Sequence, residues 1–512
     1  MSQMQHRPNP LLVSVPRGEP DPGNRRAGLI AMVIAAVCFL TVVFMNQVSS
    51  APSSTKRAAQ TMAHEQAVDL ADPTTLAMKM VVKLAHLFNP KDEAARRDWL
   101  AQAQPPTTDP NSRPETERVR QAIVHAEILK GNDGAKDAER LFGQMEDEFA
   151  GRAERLNRDL SEDEKKLIDA ARQDIATLRK IYAGDRATLS EDERSRLATR
   201  HGWFGELALT FGEDDQSPQR TALLAGGGAL IGGVLFVITA ALVAVCGGFG
   251  CFVAMIVLMS TGKIRRNFAP PSPGGSFGWE VLAAFLVAFL GFKIVASVLV
   301  TLLAGDHPPP WFPKVVLGGQ LLVAVAVLFP LLRGVRFDQY RRLVGWTADR
   351  GVMREVMAGV FGYFAGLPVI FAALMFSLAL NFLLHWWKGV EPEQPENPIL
   401  EIAGRGDALL LTLLFVLATV WAPIVEETVF RGSVYRAMRA RVGVLLAAAG
   451  SALIFGFMHG YPVQLLGPVI GIGFVFALMR EWRGSIIGPM VAHFLNNATI
   501  LVMVFLILTA AA

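Results

Sequence analysis

The sequence predicts an all-α, polytopic membrane helix bundle of about nine spans with an inserted all-α soluble module. Three observations predict it. Of 512 residues, 52% are hydrophobic and only 19% are charged, which is long enough for two or three domains and too apolar for an ordinary soluble protein. From Ala222 onward, apolar stretches of span length alternate with short polar ones. Residues 49–221 differ: they are charged, rich in Ala, Leu, Glu and Arg, and punctuated by Pro and Gly at intervals that suit short helices. The net charge of +3 is small, and the basic residues form short clusters between apolar segments instead of a broad face for nucleic acid. The three cysteines, Cys38, Cys246 and Cys251, all fall in expected spans, which leaves no disulfide framework or zinc-knuckle spacing.

Residues 1–27 are rich in proline, arginine and polar residues without apolar periodicity, and read as a disordered tail. Residues 28–47 are an apolar run long enough to span a bilayer. Arg25 and Arg26 before it and Ser49, Ser50 and Ala51 after it also fit a cleaved signal peptide, but the long tail and long run favour an uncleaved signal anchor. In 49–221, Ser161 with Glu164 and Ser190 with Glu193 have capping-box spacing. After the first, Leu167, Ile168, Ala171, Ile175, Leu178 and Ile181 form one apolar helical stripe. His64, His86, His125 and His201 are scattered without ligand spacing and read as solvated or partly buried. The module's partner is unknown.

Residues 222–260 lack charge and fit either one long span or a hairpin broken at Gly247-Gly248-Phe249-Gly250. Further spans are expected at 280–304, 315–333, 355–386, 408–440, 444–460, 464–479 and 485–510, so that 222–335 is a first transmembrane part and 336–512 a second. Counting 222–260 once, with the N-terminus inside, places Arg265 and Arg266, Arg333 to Arg342, Arg436 to Arg441, and Arg480 and Arg483 on the cytoplasmic side. The module then lies outside the cytoplasm. Lys56 and Arg57 pull against this orientation, and a hairpin at 222–260 would reverse it for the module. Lys293, alone within a span, reads as a structural lysine that snorkels or pairs.

Three polar interruptions mark the last third of the chain as the place for one buried site. The first is Glu426-Glu427-Thr428-Val429-Phe430-Arg431, where Glu427 and Arg431 share a helix face and can pair, leaving Glu426 freer. The second runs from Phe455 to His459 and the third from His493 to Asn497, each with its ends four residues apart on one face. At 1.5 Å per residue, the glutamates and His493 each lie roughly 15 Å from the nearest cytoplasmic arginines, while the Gly460-Tyr461-Pro462 break permits irregular geometry at His459. A carboxylate and an imidazole converging on one water form a general-base system, and an amide with a second imidazole can stabilise an oxyanion. Those parts suffice to hydrolyse an amide without a protein nucleophile. Ser451 and Ser485 read as packing positions.

Glu-Glu-x-x-x-Arg, Phe-x-x-x-His and His-x-x-x-Asn, in this order within multispanning sequence, resemble the CAAX protease and bacteriocin-processing family of intramembrane glutamic endopeptidases, also called type II CAAX prenyl proteases. The resemblance covers roughly residues 340–505, including Gly345-Trp346, and leaves out 1–221. It implies an all-helical bundle in a bacterial inner membrane whose cavity opens to the membrane or cytoplasm. It further implies that Glu426 is the general base, assisted by His459, with His493 and Asn497 stabilising the oxyanion. Glu427 would hold Arg431, and Phe455 would shape the cavity. Partners would be the bilayer and a membrane-associated protein, prenylated or carrying a leader, with no nucleic acid. No cofactor is expected; catalytic zinc on His459, His493 and Glu426 is the weaker alternative, since no His-Glu-x-x-His is present and an asparagine suits an oxyanion role better. Two rival readings use the same residues: a non-catalytic scaffold or chaperone acting through the module, and a proton-coupled transporter, for which the hydropathy shows no inverted repeat.

Overall fold

Uncharged runs of Leu, Val, Ala and Phe leave the backbone no hydrogen-bonding partner in hydrocarbon but itself, and the chain is helical accordingly. The computed structural model describes residues 17–49, 73–88, 92–103, 115–156, 160–303, 311–388 and 407–511. Of the residues discussed above, 1–16, Ser50, Ala51, Lys56, Arg57 and His64 lie outside this set. The described residues form two compact units, one from those within 1–52, 238–396 and 407–503, the other chiefly from those within 53–237.

Among the described residues, 7 helices are long and apolar enough to cross a membrane: Arg25–Asn46, Pro218–Ser260, Phe277–Leu299, Phe312–Leu332, Val352–Leu384, Ala408–Arg439 and Ile487–Leu506. The expected spans at 444–460 and 464–479 are instead the shorter helices Val444–Phe457, of 14 residues, and Gly467–Arg483, of 17 residues. At 1.5 Å per residue these measure roughly 21 and 26 Å. They pack against each other, their crossing made close by Gly473, where a Cβ would come within 3.1 Å of Ala452 Cα. The segment 222–260 is not a hairpin: Gly227–Ser260 is a single helix of 34 residues. Of the glycines at 247, 248 and 250, Gly248 serves packing, since a Cβ there would stand 3.0 Å from Phe364 O.

The membrane unit's core joins Val281 and Leu286 to Tyr340, Val344, Val429, Phe430 and Phe455. The helix Phe277–Leu303 crosses the Ala408–Arg439 helix at Gly278, where a Cβ would lie 2.5 Å from Ser433 O. At one end of this unit, arginines are matched by carboxylates. Arg439 pairs with Glu481 at 3.1 Å and Arg483 with Glu355 at 2.6 Å. Arg436 pairs with Asp21 at 2.8 Å. That last contact corrects the expected disordered tail of 1–27 over its described part, 17–27: Asp21 is drawn in and buried by its cation, and the first helix begins at Arg25.

The smaller unit is a helical module with Ile123, Phe142, Ile175, Leu178, Leu197, Phe204 and Leu207 fully buried in its core. Both capping boxes are present, on Ser161 with Glu164 and Ser190 with Glu193. The stripe from Ile168 to Ile181 faces inward, with Leu167 half-buried at its edge. The histidines differ from the expectation of solvated or partly buried side chains. His201 is fully buried on Asp174 at 3.0 Å, and His125 is buried on Asp137 at 2.6 Å. Each finds a carboxylate because a buried ring N–H needs an acceptor. His86 stays partly exposed, 3.9 Å from Asp215.

Candidate active site

The site is built on the helix Ala408–Arg439, which departs from α geometry twice. Turns of the wider π type, with i→i+5 hydrogen bonds, cover Leu417–Trp421 and Thr428–Val434, and six α-helical residues, Ala422–Glu427, stand between them. The first widening has a local cause. Pro423 has no N–H to give the carbonyl of Thr419, and its ring crowds that carbonyl. In both widened stretches hydroxyls bond nearby carbonyls: Thr419 to Phe415 at 2.7 Å, Thr428 to Ile424 at 2.6 Å, and Ser433 to Thr428 at 2.9 Å. Glu426 and Glu427 are thus the last residues of a short regular stretch held between two irregular ones.

Their surroundings set them apart. Glu427 is fully buried, and its Oε1 accepts from Arg431 Nη1 at 2.9 Å and from His493 Nδ1 at 3.0 Å. Arg431, also fully buried, has its guanidinium 4.4 Å from the Phe455 ring centroid and 5.3 Å from that of Phe476. It also donates to Gly473 O at 3.1 Å. Two aromatic faces, a carboxylate and a carbonyl replace the water such a cation loses. Glu426 has no such set of partners. Its side chain is 18% exposed, and its Oε2, without a hydrogen-bond partner like the Oε2 of Glu427, lies 3.9 Å from His493 Nε2.

Because a carboxylate only accepts, His493 Nδ1 carries the proton toward Glu427, and its Nε2 faces Glu426. His459 lies past the end of its helix, exposed, in the turn before Gly460 at φ +72°. Its Nδ1 donates to Phe455 O at 2.9 Å, which leaves Nε2 as the acceptor in the neutral ring. The Phe455 ring bridges the two histidines, edge-on to His459 at 4.7 Å and to His493 at 6.1 Å between centroids. Asn497 stands elsewhere along the same helix face as His493: its Nδ2 donates to Ala418 O, in the first widened turn, at 2.8 Å. The structure therefore gathers Glu426, Glu427, Arg431, Phe455 and His493 in direct contact, joins His459 through Phe455, and ties Asn497 to the turn that precedes the glutamates. Among the described residues, no three His, Cys, Asp or Glu side chains come together as a metal-ligand group.

Residues 408–499 match the family described as type II CAAX prenyl endopeptidase Rce1-like. This segment belongs to that family. The chain is also similar to YdiL of Bacillus subtilis (strain 168), whose name proposes a membrane peptidase. The two are 29% identical over 91 residues, 18% of this chain and 37% of YdiL. No solved structure matches. With its long apolar helices and its Rce1-like segment, the chain is an integral membrane protein. The Rce1-like match takes in every motif position from Glu426 to Asn497, and the anchor helix and the module precede it.

Four contributors were given no role in the sequence reading. Phe476 stacks on Arg431 and His493, Gly473 and Ala418 supply carbonyls, and Trp346 donates its indole N–H to Thr428 Oγ1 at 2.9 Å. The small-residue run Gly467, Gly471, Gly473 was the available signal for a helix pressed against this site. Ser451 and Ser485 donate to the backbone carbonyls of Phe430 and Thr347.

Proposed function

We propose that this chain is a membrane endopeptidase in which Glu426 activates a water to hydrolyse a peptide bond of a membrane-associated protein. One observation carries the reading: Glu426, 18% exposed, presents Oε2 3.9 Å from His493 Nε2, while the adjacent Glu427 is fully buried with its Oε1 held by Arg431 and His493. A carboxylate that a water can reach, beside an imidazole and not engaged by a cation, is the group a reacting water would need. In this scheme Glu426 takes a proton as the water oxygen bonds to the scissile carbonyl carbon. The carbonyl oxygen becomes an oxyanion, which receives hydrogen bonds from His493 Nε2–H of the imidazolium and from the second N–H of Asn497. Glu426 then returns its proton to the leaving amine as the C–N bond breaks. His459, with Nε2 open as an acceptor, relays protons to and from this centre. No cofactor enters the scheme, and zinc held by Glu426, His459 and His493 is the alternative that a chelator would reveal.

The substrate classes to test are prenylated C-terminal tails and peptide leaders, in a bacterial inner membrane with the module on its outer side. The deciding experiment compares new protein termini in host membranes carrying wild type or Glu426→Gln at equal expression. Products that vanish in the variant support the reading and identify the substrate. Identical termini, with the variant still rescuing the host phenotype, overturn it in favour of a non-catalytic scaffold.

A further inference from the structure

Lys293 is a cation within a membrane-spanning helix, and such a residue needs a partner there. Its Nζ donates to Asn46 Oδ1 on the anchor helix Arg25–Ser49 and stands 5.7 Å from the Phe289 ring centroid. An ammonium has only hydrogens to give, so it fixes the Asn46 amide with its oxygen toward Lys293 and its NH2 away. That NH2 donates to Met458 O at 3.4 Å. Met458 ends the helix Val444–Phe457, where carbonyls have no helical N–H to bond, and it directly precedes His459. The other side of the turn is also against Asn46: a Cβ on Gly460 would lie 3.1 Å from Asn46 Nδ2. Asn46 itself is buried.

We infer that Asn46, oriented by Lys293, is a positioning residue: the anchor helix holds the turn that carries His459 and so sets the direction of its open ring nitrogen. The inference rests on the endopeptidase reading for its consequence, but its geometry can be tested without activity. The anchor helix precedes the Rce1-like segment at 408–499, so this chain completes its site with an element that the family match does not include. The donor–acceptor direction runs one way, from Lys293 to Asn46 to Met458, and a charged first donor polarises the amide that follows.

The test uses the full-length protein in membranes and measures, by mass spectrometry, the rate at which diethyl pyrocarbonate labels His459, with His86 as internal reference. Lys293→Met and Asn46→Ala are each expected to change the His459 rate at least threefold relative to His86, and the double variant to change it no further than either one. Lys293→Arg, which keeps a cationic donor, is expected to stay within twofold of wild type and so shows that the effect is not misfolding. Cleavage in the same membranes is expected to fall about tenfold in the first two variants and to persist in Lys293→Arg. Unchanged His459 labelling in Lys293→Met and Asn46→Ala, or labelling that shifts equally at His86, overturns the inference. A labelling change in membranes where wild type and Glu426→Gln give identical termini upholds the positioning role and overturns the endopeptidase reading.

Discussion

Two adjacent glutamates, one residue apart in sequence, have opposite energetic standing. Glu427 is half of a fully buried pair with Arg431 and also holds His493, so removing Arg431 strands a carboxylate where no water reaches it. Breaking one side of such a pair typically costs about 3–5 kcal/mol. Arg431→Met is therefore expected to lower the unfolding temperature of the detergent-solubilised protein severely. Arg431→Lys should not rescue it, because a point charge cannot fill the slot between Phe455 and Phe476 and reach both Glu427 and Gly473 O. Glu426→Gln breaks no hydrogen bond at Oε2, so its unfolding temperature should stay within about 2 °C of wild type. Its cleavage rate should nevertheless fall by about 100- to 10,000-fold, the usual worth of a general base. A Glu426→Gln protein as unstable as Arg431→Met would show that Glu426 is structural.

At the scale of helices, what could be read in advance was what one helix determines by itself. The spacing of four made the Glu427–Arg431 pair legible, and Ser-x-x-Glu made both capping boxes legible, because each involves neighbours on one turn. The links from His493 to Glu427 and from Asn497 to Ala418 span 66 and 79 residues, and their choice of partner is made by packing. Hydropathy likewise did not give the ends of the helices Val444–Phe457 and Gly467–Arg483, which run for only 14 and 17 residues. The Asn497 link yields a prediction about helix pairing. Interhelical hydrogen bonds in membranes average about 0.6 kcal/mol and reach about 1.7 kcal/mol, so Asn497→Ala should lose stability in that range. Asn497→Asp keeps the shape but sets an acceptor against the Ala418 carbonyl, and should be less stable than Asn497→Ala in denaturant titration of mixed micelles. The reverse order would mean that the Ala418 contact contributes nothing.

Across the whole molecule, titratable groups are placed in two different ways, and the module's share is exposed to pH. Burial holds the His201 imidazole below its usual range, against the opposing pull of Asp174, with Arg120 and Arg200 pushing the same way as burial. Burial does the same to His125 against the pull of Asp137. In the unfolded chain each histidine regains a pKa of about 6.5 and takes up a proton that the folded module resists. Below that pH the unfolded state binds more protons, so the stability of the folded module falls as pH drops through about 6.5. Asp215 adds a second loss at lower pH. Partial burial pushes its carboxyl up, but the hydrogen bonds from Arg220 and Lys130 outweigh this and hold it at about 2, so its contribution is complete above the unfolded value of about 3.9 and is lost as pH falls from there through about 2. Hydrogen exchange of the amides in residues 160–217 of the full-length protein, corrected for the intrinsic pH effect, should therefore show lower protection at pH 5.5 than at pH 7.5. Asparagine at both His125 and His201 cannot titrate, and the double variant His125→Asn/His201→Asn should lose most of that pH dependence even if its absolute stability is lower. Equal protection at the two pH values in wild type, or an undiminished difference in the double variant, would mean that these histidines are not what couples the module to acid.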